Sequence, residues 1–196
     1  MAAPLDHRTA HLCVDMQRMF AEETPWHAAW VKRVLPQIER LAAAHPARTI
    51  FTRFVPAATA EHATGAWRRY YERWTEMTLE RLDPGLLDLV PELARHTPPA
   101  TVVDKSAYSS FHAPGLESLL RARGIETLVV TGVETDVCVL ATILAAVDAG
   151  YNVIVPTDAI CSSSDETHDA LLKLYRERFG EQIEPSTVDQ VLARWR

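Results

Sequence analysis

The sequence predicts an α/β domain with a mostly parallel sheet covered by helices on both faces. Short apolar, β-branched runs at 11–14, 49–52, 101–103, 127–131 and 152–155 alternate with longer helix-like stretches at 26–44, 64–81, 115–123, 139–149 and 164–179. Strands that alternate with helices build parallel sheets, and runs that are apolar throughout suit strands buried on both faces. In addition, Gly124 and Gly150 each stand between a helical stretch and the next strand, where a left-handed helix cap is expected.

Taken in order, the first strand ends in an acid, Asp15, and is followed by irregular sequence. The third candidate strand ends in Asp104-Lys105. The fourth runs into Thr131-Gly132-Val133-Glu134-Thr135-Asp136-Val137-Cys138-Val139, and an Ala- and Leu-rich helix is expected to begin at the cysteine. That helix is apolar nearly all round, which predicts burial, in part against another subunit. A last strand near 183–185 and a helix over 186–194, capped by Ser186 or Thr187, complete the sheet. The segment His96-Thr97-Pro98-Pro99-Ala100 is a rigid connector inside the domain. No repeat or linker divides the chain, so residues 1–196 are expected to form a single domain.

Composition excludes several classes of function. A net charge of −6 gives no electrostatic footprint for nucleic acid or an anionic membrane. No apolar run approaches the roughly 20 residues needed to span a bilayer. Residues 1–8 lack the apolar core of a signal peptide, which predicts a cytoplasmic protein. Cys13, Cys138 and Cys161 are widely spaced, and no two form a CxxC pair, so they make neither a disulfide framework nor a zinc knuckle. Cys13 lies two residues before Asp15, on the same side of the strand, and is read as core; Cys161 lies beyond another strand end, near the pocket without a part in it. No G-x-G-x-x-G follows the first strand, which argues against a dinucleotide-dependent oxidoreductase.

Parallel strands deliver their ends to one edge of a sheet, where ligands bind in open α/β folds. Asp15, Lys105 and Cys138 are therefore expected to converge. Each has a plainer reading: a turn cap, a solvated lysine, a small buried hydrophobe. Together they supply an acid, a base and a nucleophile. A helix N-terminus beneath Cys138 is expected to favour its thiolate.

At this point the chain resembles the isochorismatase-like cysteine hydrolases, which include nicotinamidases, N-carbamoylsarcosine amidase and ureide hydrolases. The matching segments are Cys13-Val14-Asp15-Met16-Gln17, Lys105-Ser106-Ala107-Tyr108-Ser109-Ser110-Phe111 and Gly132-Val133-Glu134-Thr135-Asp136-Val137-Cys138-Val139, with Asp158-Ala159 and His168 fitting the later pattern. The resemblance covers residues 9–179. It implies a three-layer, Rossmann-like α/β/α fold with a sheet of about six strands, a catalytic triad of Asp15, Lys105 and Cys138, and a homodimer or higher homo-oligomer. It also implies a cis peptide bond between Val133 and Glu134, which turns the Glu134 N–H toward that of Cys138 as an oxyanion hole. Glu134 then matters through its backbone.

The chain departs from its relatives in two places. Nicotinamidases hold a metal with an Asp-x-His pair after the second strand, whereas Thr52-Arg53-Phe54-Val55-Pro56 has neither ligand, and His62 and His112 are isolated. No metal and no cofactor are expected. The second departure is an aromatic stripe: Trp67, Tyr70, Tyr71 and Trp74 fall at i, i+3, i+4 and i+7 of one helix. They bury the helix against the sheet or a neighbouring subunit, or else Trp67 and Tyr71, with Phe111, wall the substrate pocket. Arg53 is a candidate partner for a substrate carboxylate.

The function expected is hydrolysis of a C–N bond in a small amide or ureide through a thioester on Cys138. Two alternatives stand beside it. One is an isochorismatase-type vinyl ether hydrolase in which Asp15 is the acid and the thiol is idle; the other is a non-catalytic binding or assembly subunit.

Overall fold

The computed structural model describes residues 4–195. In chain order the elements are β1 (Thr9–Val14), α1 (Arg18–Ala21), α2 (Val31–Ala44), β2 (Thr49–Phe54), α3 (Ala66–Arg73), α4 (Pro91–Ala94), β3 (Thr101–Lys105), α5 (Leu116–Ala122), β4 (Thr127–Val133), α6 (Leu140–Asp148), β5 (Asn152–Pro156), β6 (Ile160–Cys161), α7 (Asp165–Glu177), β7 (Ile183–Ser186) and α8 (Val188–Arg194). The sheet has seven strands in the order β3-β2-β1-β4-β5-β7, with β6 paired to the end of β4, and every pairing is parallel. The six strands expected are present. The seventh, β6, is two residues long and too short to leave a pattern in the sequence.

Two apolar layers sandwich the sheet. On one face Val34, Ile38 and Leu41 of α2 and Val188 and Val191 of α8 pack with Cys13, Phe51, Val129 and Ile154. On the other, Leu116 and Leu120 of α5 and Ile143 and Ala146 of α6 pack with Leu12, Ile50, Val130 and Val153. Alternate residues of each strand feed opposite layers, which is why β1, buried at all six positions, has no solvent-facing side. Among the described residues, no helix is long and apolar enough to cross a membrane.

Successive connections run outward from β1 to β2 and β3, and in the other direction from β4 to β5 and β7. The order therefore reverses between β1 and β4. At such a switch point the following segments diverge and leave a crevice at the carboxyl ends of the strands. The backbone fit is tightest where β4 passes the end of β1: Gly132 has φ +111°, and a Cβ there would stand 2.0 Å from the Val14 carbonyl oxygen.

Three helices differ from their expected extents. The stretch 26–30 stays irregular because the Thr24 hydroxyl accepts the Trp26 N–H and the Trp26 ring is buried against Phe20, so α2 starts only at Val31. The long stretch 64–81 forms α3 and then breaks at Trp74 into a separate 3-10 turn. Cys138 does not begin its helix either: a π-helical turn, Thr135–Val139, precedes α6 and contains it. Of the two candidate caps for α8, Thr187 is the one used, in a reciprocal capping box with Gln190.

A polar rung crosses the middle of the sheet. His11 is fully buried, with Nδ1 3.2 Å from the Thr49 hydroxyl and Nε2 2.8 Å from the Thr131 hydroxyl. Burial, with a smaller contribution from His45, pushes its pKa down to about 3. The unfolded chain protonates this imidazole near pH 6.5 while the folded protein does not, so stability is lost as pH falls below 6.5. Between pH 6 and 4 this one group should remove up to about 1.4 kcal/mol per pH unit. Urea unfolding at several pH values measures the slope, and His11→Gln should make it shallower by that amount. Gly132→Ala, which drives a methyl into the Val14 backbone, should cost about 3 kcal/mol or more in the same assay.

Candidate active site

The crevice between β1 and β4 brings together Asp15, Lys105 and Cys138. Asp15 is the first residue after β1 and is held in the left-handed region at φ 51°, which Asp tolerates better than most side chains. Its backbone turn is closed by Gln17 N–H donating to the Asp15 carbonyl at 2.7 Å. Thr52 of β2 fixes the carboxylate: its hydroxyl donates to Oδ1 at 2.6 Å and accepts the Asp15 N–H at 3.2 Å. The Lys105 ammonium donates to Oδ2 at 2.6 Å and to the Ala107 carbonyl at 3.0 Å, and lies 5.1 Å from the centre of the Phe54 ring. Neither charged side chain has any solvent exposure.

Gln17 makes this arrangement rigid. Its side chain donates to the carbonyls of Phe54 and Leu87 at 3.0 and 2.9 Å and accepts the Phe54 N–H at 2.7 Å. The irregular turn after β1 is thus tied to the end of β2. On the other wall, Ser110 N–H donates to the Thr142 hydroxyl at 2.9 Å, anchoring the segment after Lys105 to α6. Sequence reasoning assigned no role to Thr52, Gln17 or Thr142. The spacing Asp15-x-Gln17 was the one available sign, and it says nothing of Thr52.

The loop that carries the thiol is equally braced. The Val133–Glu134 bond is cis. Both Val137 and Val139 donate to the Glu134 carbonyl, at 3.1 and 3.0 Å, in the widened turn of a π-helix. Between them, among the described residues, the Cys138 N–H makes no bond to that carbonyl. A π-turn inserts one residue into the ladder, and such turns are frequent at functional sites. Asp136 takes hydrogen bonds from the hydroxyls of Ser162 and Thr167, and Thr135 meets His168 Nδ1 at 2.8 Å, so the loop is fastened to the start of α7. Asp158 accepts the Val188 N–H at 3.0 Å and so serves the α8 terminus.

Electrostatically the thiol is not what the helix terminus suggests. Burial raises the Cys138 pKa well above the ordinary thiol value, the Asp15 charge and its acceptor role add to this, and Lys105 only partly opposes them. At rest the sulfur keeps its proton. The expected thiolate fails because desolvation and an adjacent carboxylate outweigh the dipole of one short turn.

A cavity of about 30 Å³ lies over Cys138, walled by Phe20, Trp26, Phe54, Tyr70, Tyr108, Val137 and Glu134. None of the four side chains expected there lines it. Phe111 packs on Tyr151, with ring centres 5.9 Å apart. Tyr71 is buried in the core under α3. Trp67 stands behind Tyr108, at 4.7 Å. Arg53 spends its guanidinium on Asp104, at 2.7 and 2.9 Å, and on Asp88 at 3.6 Å. Of the aromatic stripe only Tyr70 lines the cavity; Trp67 and Tyr71 pack against Tyr70, with ring centres 5.4 Å away in each case. Cys13 is fully buried core, and Cys161 lines a larger open cleft of about 570 Å³ beside α2 that contains none of the three converging residues. Among the described residues, no three or more His, Cys, Asp or Glu side chains are grouped to hold a metal ion.

The Lys105–Asp15 pair makes a direct prediction. Lys105→Met leaves a buried carboxylate without its cation and should cost about 3–5 kcal/mol in chemical denaturation. Asp15→Asn added to Lys105→Met should recover more than half of that loss; a double variant as unstable as the single one would show that packing, not charge, holds the pair.

Comparison with known proteins gives this site its setting. The chain is 40% identical over 100 residues to the ureidoacrylate amidohydrolase RutB of Methylobacterium radiotolerans, an alignment that covers 50% of this chain and 37% of that one. It is 29% identical over 169 residues to a probable inactive nicotinamidase of Arabidopsis thaliana, covering 83% and 85% of the two chains. The alignments span about half the length, or less, of several curated relatives. The crystal structure of a cysteine hydrolase from Pseudomonas syringae pv. phaseolicola superimposes with a TM-score of 0.81 at 29% identity, covering 99% of this chain and 98% of that one. The isochorismatase domain model matches residues 9–186, and the chain belongs to the isochorismatase family.

Proposed function

We propose that this protein is a cysteine-dependent hydrolase that cleaves a C–N bond of a small amide or ureide through a thioester. The observation that carries the reading is the fully buried Lys105–Asp15 pair at 2.6 Å beside the buried Cys138 thiol, whose pKa the Asp15 charge helps to raise. Among relatives, the amidohydrolase name of RutB supports the same reaction class.

The steps follow from which groups hold protons. The resting thiol is protonated, so attack requires a base, and Asp15 is the acceptor beside it. Asp15 takes the S–H proton as sulfur bonds to the carbonyl carbon. The developing oxyanion is received by the backbone N–H groups of Cys138, in its π-turn, and of Glu134. Asp15 then passes its proton to the departing nitrogen as the C–N bond breaks, leaving a thioester. Water attacks the thioester and gives a proton to Asp15; the C–S bond breaks, and that proton returns to sulfur. Lys105 and Thr52 hold the carboxylate in one orientation through both halves.

A cytoplasmic location and a homo-oligomer belong to the same proposal. Three widely spaced cysteines, none of them in a disulfide, support the first, and the half-buried outer face of α6, with Leu140, Leu144 and Val147, supports the second.

Ammonia release from a panel of small primary amides and ureides tests the chemistry. The wild type should turn over at least one, Cys138→Ala none, and Cys138→Ser less than about 1% of the wild-type rate, since a hydroxyl is a far weaker nucleophile with a carboxylate as its only base. Turnover that survives in Cys138→Ala removes the thiol from the mechanism and favours a vinyl ether hydrolase using Asp15 as acid.

A further inference from the structure

Two polar groups in the wall over Cys138 have no part in the chemistry above. One is the indole N–H of Trp26. The residue is 8% exposed, its ring is packed by Phe20, Phe54 and Tyr70 with centres 6.2, 5.9 and 5.8 Å away, and its Nε1 is buried without a hydrogen-bond partner. A buried donor left unpaired is costly, and its aromatic neighbours offer no comparable acceptor.

The other is the Glu134 side chain. One of its oxygens accepts the Ser163 N–H at 3.1 Å. Its charge acts on Tyr70, Tyr108 and Cys138, the groups that surround the cavity, and raises the pKa of each. No arginine or lysine lines this cavity among the described residues. The nearby cations are engaged elsewhere: Arg53 with Asp104 and Asp88, Arg68 with the carbonyls of Ala63 and Glu61, and Lys105 with Asp15.

From this juxtaposition we propose that Trp26 and Glu134 determine specificity: Trp26 donates to an acceptor on the bound substrate, and the Glu134 carboxylate excludes anions, so the site selects uncharged amides over carboxylate-bearing ones. The inference rests on the amidase reading for where the substrate sits. An anion here loses its hydration against a like charge with no cation lining the cavity, which is selection by repulsion. The aromatic wall meanwhile favours a flat acyl group.

The test reads binding, not turnover. Benzamide and 3-carbamoylbenzoate are titrated against the Cys138→Ala protein at pH 8 by ligand-observed NMR. Benzamide should bind at least about tenfold tighter. Adding Glu134→Gln should narrow the gap to about threefold or less by improving the anion, and adding Trp26→Phe should weaken both ligands about fivefold while keeping the ratio. Equal affinities, binding of neither, or a gap that Glu134→Gln leaves untouched overturns the role of Glu134; benzamide affinity unmoved by Trp26→Phe overturns that of Trp26. The preference of the Cys138→Ala protein stands even if Glu134→Gln fails to fold. A wild type without amidase activity would sink the hydrolase reading while leaving the binding ratio as measured.

Discussion

A lysine and an aspartate with no solvent exposure form the interaction on which this site depends. Taking both charges out of water costs several kcal/mol each, which their attraction repays only when the geometry is close and the remaining hydrogen-bonding positions are filled. Here they are filled: Thr52 takes one carboxylate oxygen, Lys105 the other, and the Ala107 carbonyl a second ammonium proton. Each partner comes from or just beyond a different strand of one parallel sheet. The register of β1 on β2 and of β2 on β3 therefore has to be right to within a residue, since a one-residue slip turns every side chain to the opposite face. Gln17, bonded to the backbone at the end of β2, locks that register at the edge where it matters.

The same burial sets the character of the Cys138 thiol. Many reactive cysteines sit in electropositive, partly exposed places and rest as thiolates. Cys138 has an apolar wall, a carboxylate beside it and a second carboxylate, Glu134, nearby, and all of these keep the proton on sulfur. The lysine that would lower the thiol pKa is already paired with Asp15. What the arrangement offers is a thiol hydrogen and a carboxylate poised to take it when a carbonyl arrives.

The framework could be read from the sequence because its signals are local. β1, β2, β3, β4 and β5 are runs rich in β-branched and apolar residues; Asp15 follows the first directly, Lys105 ends the third, and Cys138 stands five residues beyond the fourth. The features that stayed hidden arise from contacts between distant segments. The His11 rung needs Thr49 opposite it on β2 and Thr131 two residues along on β4, and no pattern in residues 9–14 announces that. Gly132 is required by the Val14 carbonyl, more than a hundred residues away. The aromatic stripe of α3 was visible, but which member reaches the cavity depends on how the helix is rotated against Phe54 and Tyr108. Trp26 looked like the start of a helix; tertiary burial of its ring overrode that local preference.

This division between what was legible and what was not follows a division of labour in the molecule. Groups that would perform proton transfer and attack stand on strand ends or on turns bonded directly to them, where the sheet fixes their positions. Most of the side chains that wall the cavity over Cys138 stand on short helices or connecting segments: Phe20 in the short α1, Trp26 in the irregular stretch before α2, Tyr70 on the eight-residue α3, and Tyr108 between β3 and α5. Those segments answer to packing rather than to a hydrogen-bonded register. Glu134 is the exception. Its backbone belongs to the loop proposed to receive the oxyanion, and the residue also lines the cavity, so the two proposed roles, in the chemistry and in the choice of substrate, would fall on this one position.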